Sequence, residues 1–195
     1  MSAQHSHDTD QHGTPPEFVE IARHALGSFD LDPTSSHVFN QWIDASRYLT
    51  EKDDATKTPW FAGAPHPLRV MGRAPDTHRP ETVFCNPPGS DDGRLVKALW
   101  YSLCSYWFTG WISSAVWVGF SVEQKTYLQR TRAPFHPLQL MTLDPSRRYP
   151  YRTPAGTLAP SPPHASYLTL LSTNAAVRRR FIEAANPLGY VSHTR

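Results

Sequence analysis

The stretch that decides the fold reads Glu81-Thr82-Val83-Phe84-Cys85-Asn86-Pro87-Pro88. Its middle is uncharged and mostly apolar, which predicts a short buried strand. The two prolines stop that strand abruptly, because proline has no N–H to donate and holds φ at about −65°. We therefore expect Asn86 at the carboxyl end of a strand, on a stiff loop.

Strands and helices alternate along the rest of the chain. Periodicity and turn residues predict strands at 29–33, 81–86, 115–120, 138–143 and 167–171. Helices are expected at 14–26, 95–106, 121–130 and 174–185, with a further short helix within 34–48. Residues 50–82, around Trp60-Phe61, are predicted to be long loops. The alternation is typical of an α/β fold with a mostly parallel sheet covered on both faces.

A polar, histidine-rich stretch at 1–13 precedes the first helix. It has no hydrophobic periodicity, so we expect a disordered tail. The helix should have Thr14 as its N-cap, Pro15 in the first helical position and Glu17 in the first turn, and should end at Gly27. Residues 14–195 are long enough for one substantial core and are expected to form a single domain.

The two cysteines, Cys85 and Cys104, are too few for the disulfide framework of a small secreted protein. The N-terminus has no signal-peptide pattern, which favours free thiols in the cytoplasm. The uncharged run at 98–120 is long enough to cross a bilayer, but serines and threonines interrupt it. Instead of a membrane span we expect a buried helix, a turn near Thr109-Gly110 and a buried strand.

The formal net charge of +2 is too small to indicate a nucleic-acid partner by itself. Arginines cluster at 147–152 and 178–180. They are either solvated surface or contacts for phosphate groups, and the sequence leaves both interpretations open. The histidines lack metal-ligand spacing to the cysteines, so no metal site is predicted.

Asn86 and Pro87 offer two oxygen acceptors beside the predicted strand end. In open α/β sheets, ligands bind at the carboxyl ends of the strands. The Asn86 side-chain oxygen and the Pro87 carbonyl could then hold a planar amine, orienting it and stabilising charge that develops on its nitrogen. The plainer alternative is that Asn-Pro-Pro only ends a strand with a tight turn.

An ordered set of short motifs accompanies this loop. It comprises Thr14-Pro15, Phe29-Asp30-Leu31-Asp32-Pro33, Tyr48-Leu49-Thr50 with Asp53-Asp54 and Trp60, and Val83-Phe84-Cys85-Asn86-Pro87-Pro88. A late segment, Ser161-Pro162-Pro163-His164-Ala165-Ser166, precedes the strand at 167–171. In this order the motifs resemble the phage-type DNA N6-adenine methyltransferase family, over residues 14–172.

The resemblance implies a Rossmann-like, S-adenosylmethionine-dependent methyltransferase fold in a compact, three-layer form. It implies a phage or prophage enzyme, working in the cytoplasm of the bacterial host, that methylates the N6 amine of adenine in DNA. The catalytic loop would consist of Asn86, Pro87 and Pro88. The side that holds the cofactor S-adenosylmethionine would include Thr14, Pro15, Asp32 and Pro33. Neither the recognition sequence nor the oligomeric state follows from the resemblance.

Two features depart from the family pattern. The family usually has an aromatic residue after the second proline, where it can stack on the flipped base, but this chain has Gly89. Phe84, Trp60 and Trp100 are candidate substitutes. There is also no glycine-rich loop after Pro33. These departures leave open a degenerate domain serving as a nucleic-acid-binding or regulatory module. Because the same loop can hold any planar amine, methyl transfer to cytosine N4, RNA or protein also stays open.

Overall fold

The computed structural model describes residues 13–89, 93–120, 125–126, 140–159 and 165–193. The strands in these ranges are β1 (Phe29–Asp32), β2 (Ala45–Tyr48), β3 (Glu81–Cys85), β4 (Ile112–Gly119), β5 (Leu140–Pro145), β6 (Tyr167–Ser172) and β7 (Gly189–His193). The helices are α1 (Pro16–Leu26), α2 (His37–Ile43), α3 (Arg94–Phe108) and α4 (Ala175–Ala185), and Pro67–Arg69 forms a short 3₁₀ helix. The predicted tail lies outside the described residues except for Gly13, whose N–H donates to the Arg152 carbonyl at 2.7 Å.

One seven-stranded sheet forms the centre of the described structure, in the order β2-β1-β3-β4-β6-β5-β7. The neighbours β2, β1, β3 and β4 are parallel, whereas β6 is antiparallel to both β4 and β5. β7 forms the far edge and is antiparallel to β5. The predicted α/β class is confirmed, and this mixed sheet is compatible with a Rossmann-like fold.

The order of strands reverses at β1. The chain places β2 on one side of β1 and later places β3 on the other. In open α/β sheets such a reversal leaves a crevice outside the carboxyl ends of the two strands, and ligands bind there. Asp32 ends β1 and Asn86 follows β3, so the topology brings these two predicted site residues to the same crevice.

Helices cover the sheet on both faces. Val83 and Cys85 of β3 belong to the hydrophobic cluster that contains Leu103 of α3. Phe84, which lies between them, belongs to the cluster that contains Phe181 of α4. Because successive residues of a strand face opposite sides, the two clusters lie on opposite faces of the sheet. The result is three layers, with helices above and below one sheet.

The first helix begins one residue later than the sequence predicts. Pro15 occupies the N-cap position and Pro16 the first turn, and no side chain caps the helix. The prediction of Thr14 as the N-cap was therefore wrong. The physical reason is that a residue before proline is pushed out of the helical region, so Pro15 cannot be helical when Pro16 follows. Gly27 ends the helix as predicted, with a φ of 88° that favours glycine.

The two edge strands, β2 and β7, are absent from the sequence prediction. Ala45 is the one buried residue of β2, and no residue of β7 is fully buried. An edge strand faces solvent along one side, so it needs no run of apolar residues. That run is the pattern from which the other strands were predicted.

The uncharged run at 98–120 contains most of α3, a turn and β4, as the sequence predicts. Gly110 lies in the turn with a φ of 88°. Within the described ranges, no helix is both long and apolar enough to cross a membrane. The predicted helix at 121–130 lies outside the described residues apart from 125 and 126, which are helical.

Two of the three arginines at 178–180 donate hydrogen bonds to main-chain carbonyls of the protein. The Arg180 guanidinium donates to the carbonyl of Ala25 at 2.6 Å and, through Nε, to that of His24 at 3.1 Å. These carbonyls end α1, so Arg180 joins α4 to α1. Arg178 donates to the Ser172 carbonyl at 3.2 Å. Arg179 is different, because its side chain is 74% exposed.

Candidate functional site

Asp32 is a buried acid at the end of β1, with only 2% of its surface exposed. Its Oδ1 accepts two hydrogen bonds from Thr34, from the main-chain N–H at 2.9 Å and from the hydroxyl at 3.1 Å. Burial raises the pKa of this carboxyl to about 6, although the Thr34 hydrogen bonds oppose the rise. An acid in this state is sensitive to any cation or hydrogen-bond donor that enters the crevice.

Asn86 is joined to the same turn through its main chain. Its N–H donates to the Thr34 hydroxyl at 3.0 Å. The sulfur of Cys85 lies 3.7 Å from that hydroxyl. The ends of β1 and β3 are therefore connected side by side, and two of the predicted site residues, Asp32 and Asn86, share one hydrogen-bonded partner.

The side-chain oxygen of Asn86 is enclosed but accepts no hydrogen bond within the described residues. A buried acceptor without a partner costs about 1–3 kcal/mol of stability. The loop after it stays close to the body of the protein, since Pro87 is buried and Pro88 half-buried, and Gly89 is the first exposed residue. The fold thus keeps a buried acceptor at the end of β3 without a partner among the described residues.

Of the other residues assigned to the cofactor side, Pro33 is buried directly after β1, whereas Thr14 and Pro15 lie at the start of α1. Thr14 lines a cavity of about 60 Å³ together with Phe39 and Trp42 of α2. The Arg152 guanidinium also lines it and lies over the Trp42 ring, 5.0 Å from its centre. Neither Asp32 nor Asn86 lines this cavity. The predicted site residues therefore form two groups, one at the crevice and one against α2.

The three aromatic residues proposed to replace the one missing at Gly89 are all in the core. Phe84, Trp60 and Trp100 are exposed by 0%, 1% and 3%. Each packs against another ring, of Phe29, Tyr106 and Trp117 respectively. None of the three candidates therefore offers an exposed ring on which a base could stack.

Thr34 is the site residue that the sequence analysis missed. The sequence predicts no more than a short helix within the segment 34–48 that Thr34 begins. The available signal was local: in Asp-x-Thr, the acid can accept bonds from the main chain and hydroxyl of the residue two places on. What the sequence could not show was the second bond of that hydroxyl, since Asn86 becomes its neighbour only in the folded sheet.

The chemistry of the remaining candidates is limited. Cys85 and Cys104 are free thiols, as predicted, and both are buried. Burial, and after it the Asp32 charge, raises the pKa of Cys85, so it is not an activated nucleophile. Among the described residues, no three metal-ligating side chains lie together. His136 and His164 lie outside the described residues.

The chain matches no family model, and no curated protein matches it. The resemblance to DNA N6-adenine methyltransferases therefore rests on the sequence motifs alone.

Proposed function

We propose that this chain is an S-adenosylmethionine-dependent DNA methyltransferase that acts on the N6 amine of adenine. It would be encoded by a phage or prophage and would work in the cytoplasm of the bacterial host, on the Rossmann-like methyltransferase fold. The observation that carries the proposal is the Asn86 side-chain oxygen, enclosed and without a partner among the described residues. An acceptor held in that state at the crevice is suited to an incoming N–H donor.

The loop can bind both hydrogens of an exocyclic amine. The Asn86 side-chain oxygen accepts one N–H and the Pro87 carbonyl accepts the other, while the prolines keep the acceptors in place. The two oxygens stabilise the positive charge that develops as the nitrogen attacks. Positioning and electrostatics supply the catalysis, so no covalent bond to the protein is needed.

The residues on the β1 side fit the cofactor. S-adenosylmethionine supplies, when bound, an electrophilic methyl group on a positively charged sulfur. The Asp32 carboxyl suits its ammonium group or its ribose hydroxyls, because a nearby positive charge or donor favours the ionised acid. The cavity at Thr14, with about 60 Å³, is far smaller than the roughly 300–1,000 Å³ of most small-molecule sites, so it would hold only part of the cofactor.

The enclosure of the Asn86 oxygen limits how a base can reach it. Enzymes that act on bases take the base out of the duplex. Because the Asn86 oxygen is covered by neighbouring groups, those groups must separate before an adenine can reach it. The proposed enzyme thus needs a local opening of the Asn-Pro-Pro loop.

Replacing Asn86 by alanine tests its role. We expect methyl transfer to adenine-containing DNA to fall by about 10²–10³-fold, the usual loss when one preorganised hydrogen-bonding group is removed. Cofactor affinity should stay the same. Folding stability should not fall, because the deleted acceptor has no partner among the described residues. The measurements are transfer of a labelled methyl group, calorimetry of cofactor binding and thermal denaturation.

Two other asparagines are matched controls. Asn186 is exposed at the end of α4, so Asn186→Ala should leave methyl transfer unchanged. Asn40→Ala should lower stability, because this side chain bonds to both the N–H and the carbonyl of Ala45 at 3.1 Å. Full methyl transfer by Asn86→Ala, or a folded wild type that methylates no DNA, would rule out the proposal. Mass analysis of the product nucleosides separates adenine N6 from cytosine N4, and parallel reactions with RNA and protein test the other amines.

A degenerate methyltransferase domain, serving as a nucleic-acid-binding or regulatory module, is the second candidate. One observation favours it: Gly89 offers no ring, and the nearby aromatic candidates Phe84, Trp60 and Trp100 are all buried in the core. Base stacking is worth about 1–3 kcal/mol, so its loss would weaken binding of a flipped base. Calorimetry decides between the two, since micromolar binding of S-adenosylmethionine would contradict the degenerate domain.

A further inference from the structure

One hydroxyl group connects the two sides of the crevice. The Thr34 Oγ1 lies 3.1 Å from Asp32 Oδ1 and 3.0 Å from the main-chain nitrogen of Asn86. A hydroxyl has a single hydrogen to donate and lone pairs with which to accept. Because the Asn86 N–H can only donate, Thr34 accepts from Asn86, and when Asp32 is ionised Thr34 gives its own hydrogen to that carboxylate.

We propose that Thr34 is a positioning residue for methyl transfer, whose hydroxyl holds the Asn86 loop at a set distance from the Asp32 end of β1. The inference rests on the proposed function, which assigns Asp32 to the cofactor and Asn86 to the target amine. Methyl transfer requires the two ligands to be close and in line. A misplacement of about 1 Å can cost about 10²-fold in rate, so a bond that sets this distance affects the reaction directly.

The hydroxyl can be removed without releasing Asp32. The main-chain N–H of Thr34 also donates to Asp32 Oδ1, at 2.9 Å, and this bond survives any side-chain change. Loss of the hydroxyl therefore frees the Asn86 main chain while the acid keeps one of its two bonds. We therefore expect loss of the Thr34 hydroxyl to lower the rate of methyl transfer with little change in cofactor affinity.

A second threonine provides the structural comparison. At the other end of the same strand pair, the Thr82 hydroxyl accepts from the Asp30 main-chain N–H at 3.2 Å, and its one hydrogen faces two acceptors, Asp30 Oδ2 at 2.8 Å and the Ser28 carbonyl at 2.9 Å. Thr82 lies about 13 Å from Asn86 along the extended strand. If hydroxyl links between β1 and β3 served only to stabilise the sheet, Thr34 and Thr82 would have the same effect on the reaction.

The experiment compares four variants of the full chain: Thr34→Val, Thr34→Ala, Thr34→Ser and Thr82→Val. Thr34→Val should lower kcat by about 10²-fold while the Kd for S-adenosylmethionine stays unchanged. Thr34→Ala gives a second variant without the hydroxyl, in case valine does not fold. Thr34→Ser restores the hydroxyl and should restore the rate. Thr82→Val should lower the Tm and leave kcat unchanged.

Amide hydrogen exchange at Asn86 gives a readout that does not depend on activity. The Asn86 N–H should exchange faster in Thr34→Val and Thr34→Ala, and should stay protected in Thr34→Ser and Thr82→Val. Provided that the wild type is active, full activity in Thr34→Val would overturn the positioning role and leave the proposed function standing. An equal loss of kcat in Thr82→Val would have the same meaning. A folded wild type that transfers no methyl group would instead overturn the proposed function, and the role in the reaction with it.

Discussion

Asp32-Pro33-Thr34 and Asp54-Ala55-Thr56 make the same pair of hydrogen bonds in two turns of the molecule. In each, one carboxylate oxygen accepts from the main-chain N–H and the hydroxyl of the threonine two residues later. The first turn ends β1 and its acid is buried. The second lies in the loop after β2, and the side chain of Asp54 is 33% exposed.

The surroundings give the two acids opposite properties. Burial raises the pKa of Asp32 to about 6. The hydrogen bond from Lys57, followed by that from the Thr56 hydroxyl, lowers the pKa of Asp54. The same three-residue pattern thus makes an acid that is easily protonated in one place and a fully ionised one in the other. A local motif determines the turn, whereas the tertiary environment determines the chemistry.

The largest predicted difference between the two turns is in thiol labelling. Cys85 is buried beside the Asp32 turn, and burial raises its pKa. It should react with a thiol reagent only when the fold opens, and so about 10³-fold or more slowly than an exposed cysteine. Lys52, next to the Asp54 turn, is exposed, and Lys52→Cys supplies that comparison. Labelling is followed by mass spectrometry of the digested protein.

Cys104 is the internal control for labelling, because it is a buried thiol on a different element, α3. Both native cysteines should be protected alike. Labelling of Cys85 as fast as that of Lys52→Cys would mean that the Asp32 turn is open to solvent, and the contrast between the turns would disappear.

The next largest effect is on stability as a function of pH. The pKa of Asp32 rises from 3.8 to about 6 on folding, so the folded protein binds this proton more tightly than the unfolded chain. The stabilisation is therefore complete below 3.8 and is lost as the pH rises through about 6. The difference is about 3 kcal/mol. Asp32→Asn removes this dependence and should stabilise the protein above pH 6 by an amount of that order.

Asp54→Asn should do the reverse. The pKa of Asp54 is lowered in the folded protein, so its stabilisation is present at neutral pH and is lost only in acid. Removing the charge should therefore reduce stability at neutral pH. Urea denaturation of both variants between pH 4 and pH 8 gives the measurement. Two variants whose stabilities change in the same direction at neutral pH would show that the environments do not differ as described.

Lys57→Ala should have the smallest effect. The Lys57 amine lies 2.6 Å from Asp54 Oδ2, but its side chain is 78% exposed. Exposed ion pairs contribute little, and salt screens them. The free energy of unfolding should change slightly at low salt and not measurably at high salt. A large loss that persists in salt would mean that the Asp54 turn, too, is held by a specific interaction.

Much of the parallel half of the sheet could be predicted from the sequence. β3 and β4 contain apolar runs next to turn residues, β1 alternates apolar and acidic residues before Pro33, and α3 has helical periodicity, so each leaves a recognisable pattern. β2 and β7 could not be predicted because edge strands need no apolar run. The N-cap of α1 lies one residue later than predicted, because Pro16 disfavours a helical conformation of Pro15.

The candidate site was predicted in its parts but not in its connections. Asn86 and Asp32 follow from strand ends with polar residues, and the order of strands brings those ends together. The Thr34 link and the enclosure of the Asn86 oxygen depend on contacts between distant segments, which no local pattern encodes. The aromatic candidates failed for the same reason, since ring type indicates neither burial nor direction.

The contact between Arg180 and the end of α1 has a consequence for folding during synthesis. α1 leaves the ribosome before α4, but one of the side chains that bind its final carbonyls belongs to α4. α1 therefore cannot complete its packing until almost the whole described chain has been translated. Nascent chains stalled before α4 should bury α1 incompletely, leaving its apolar face available to chaperones.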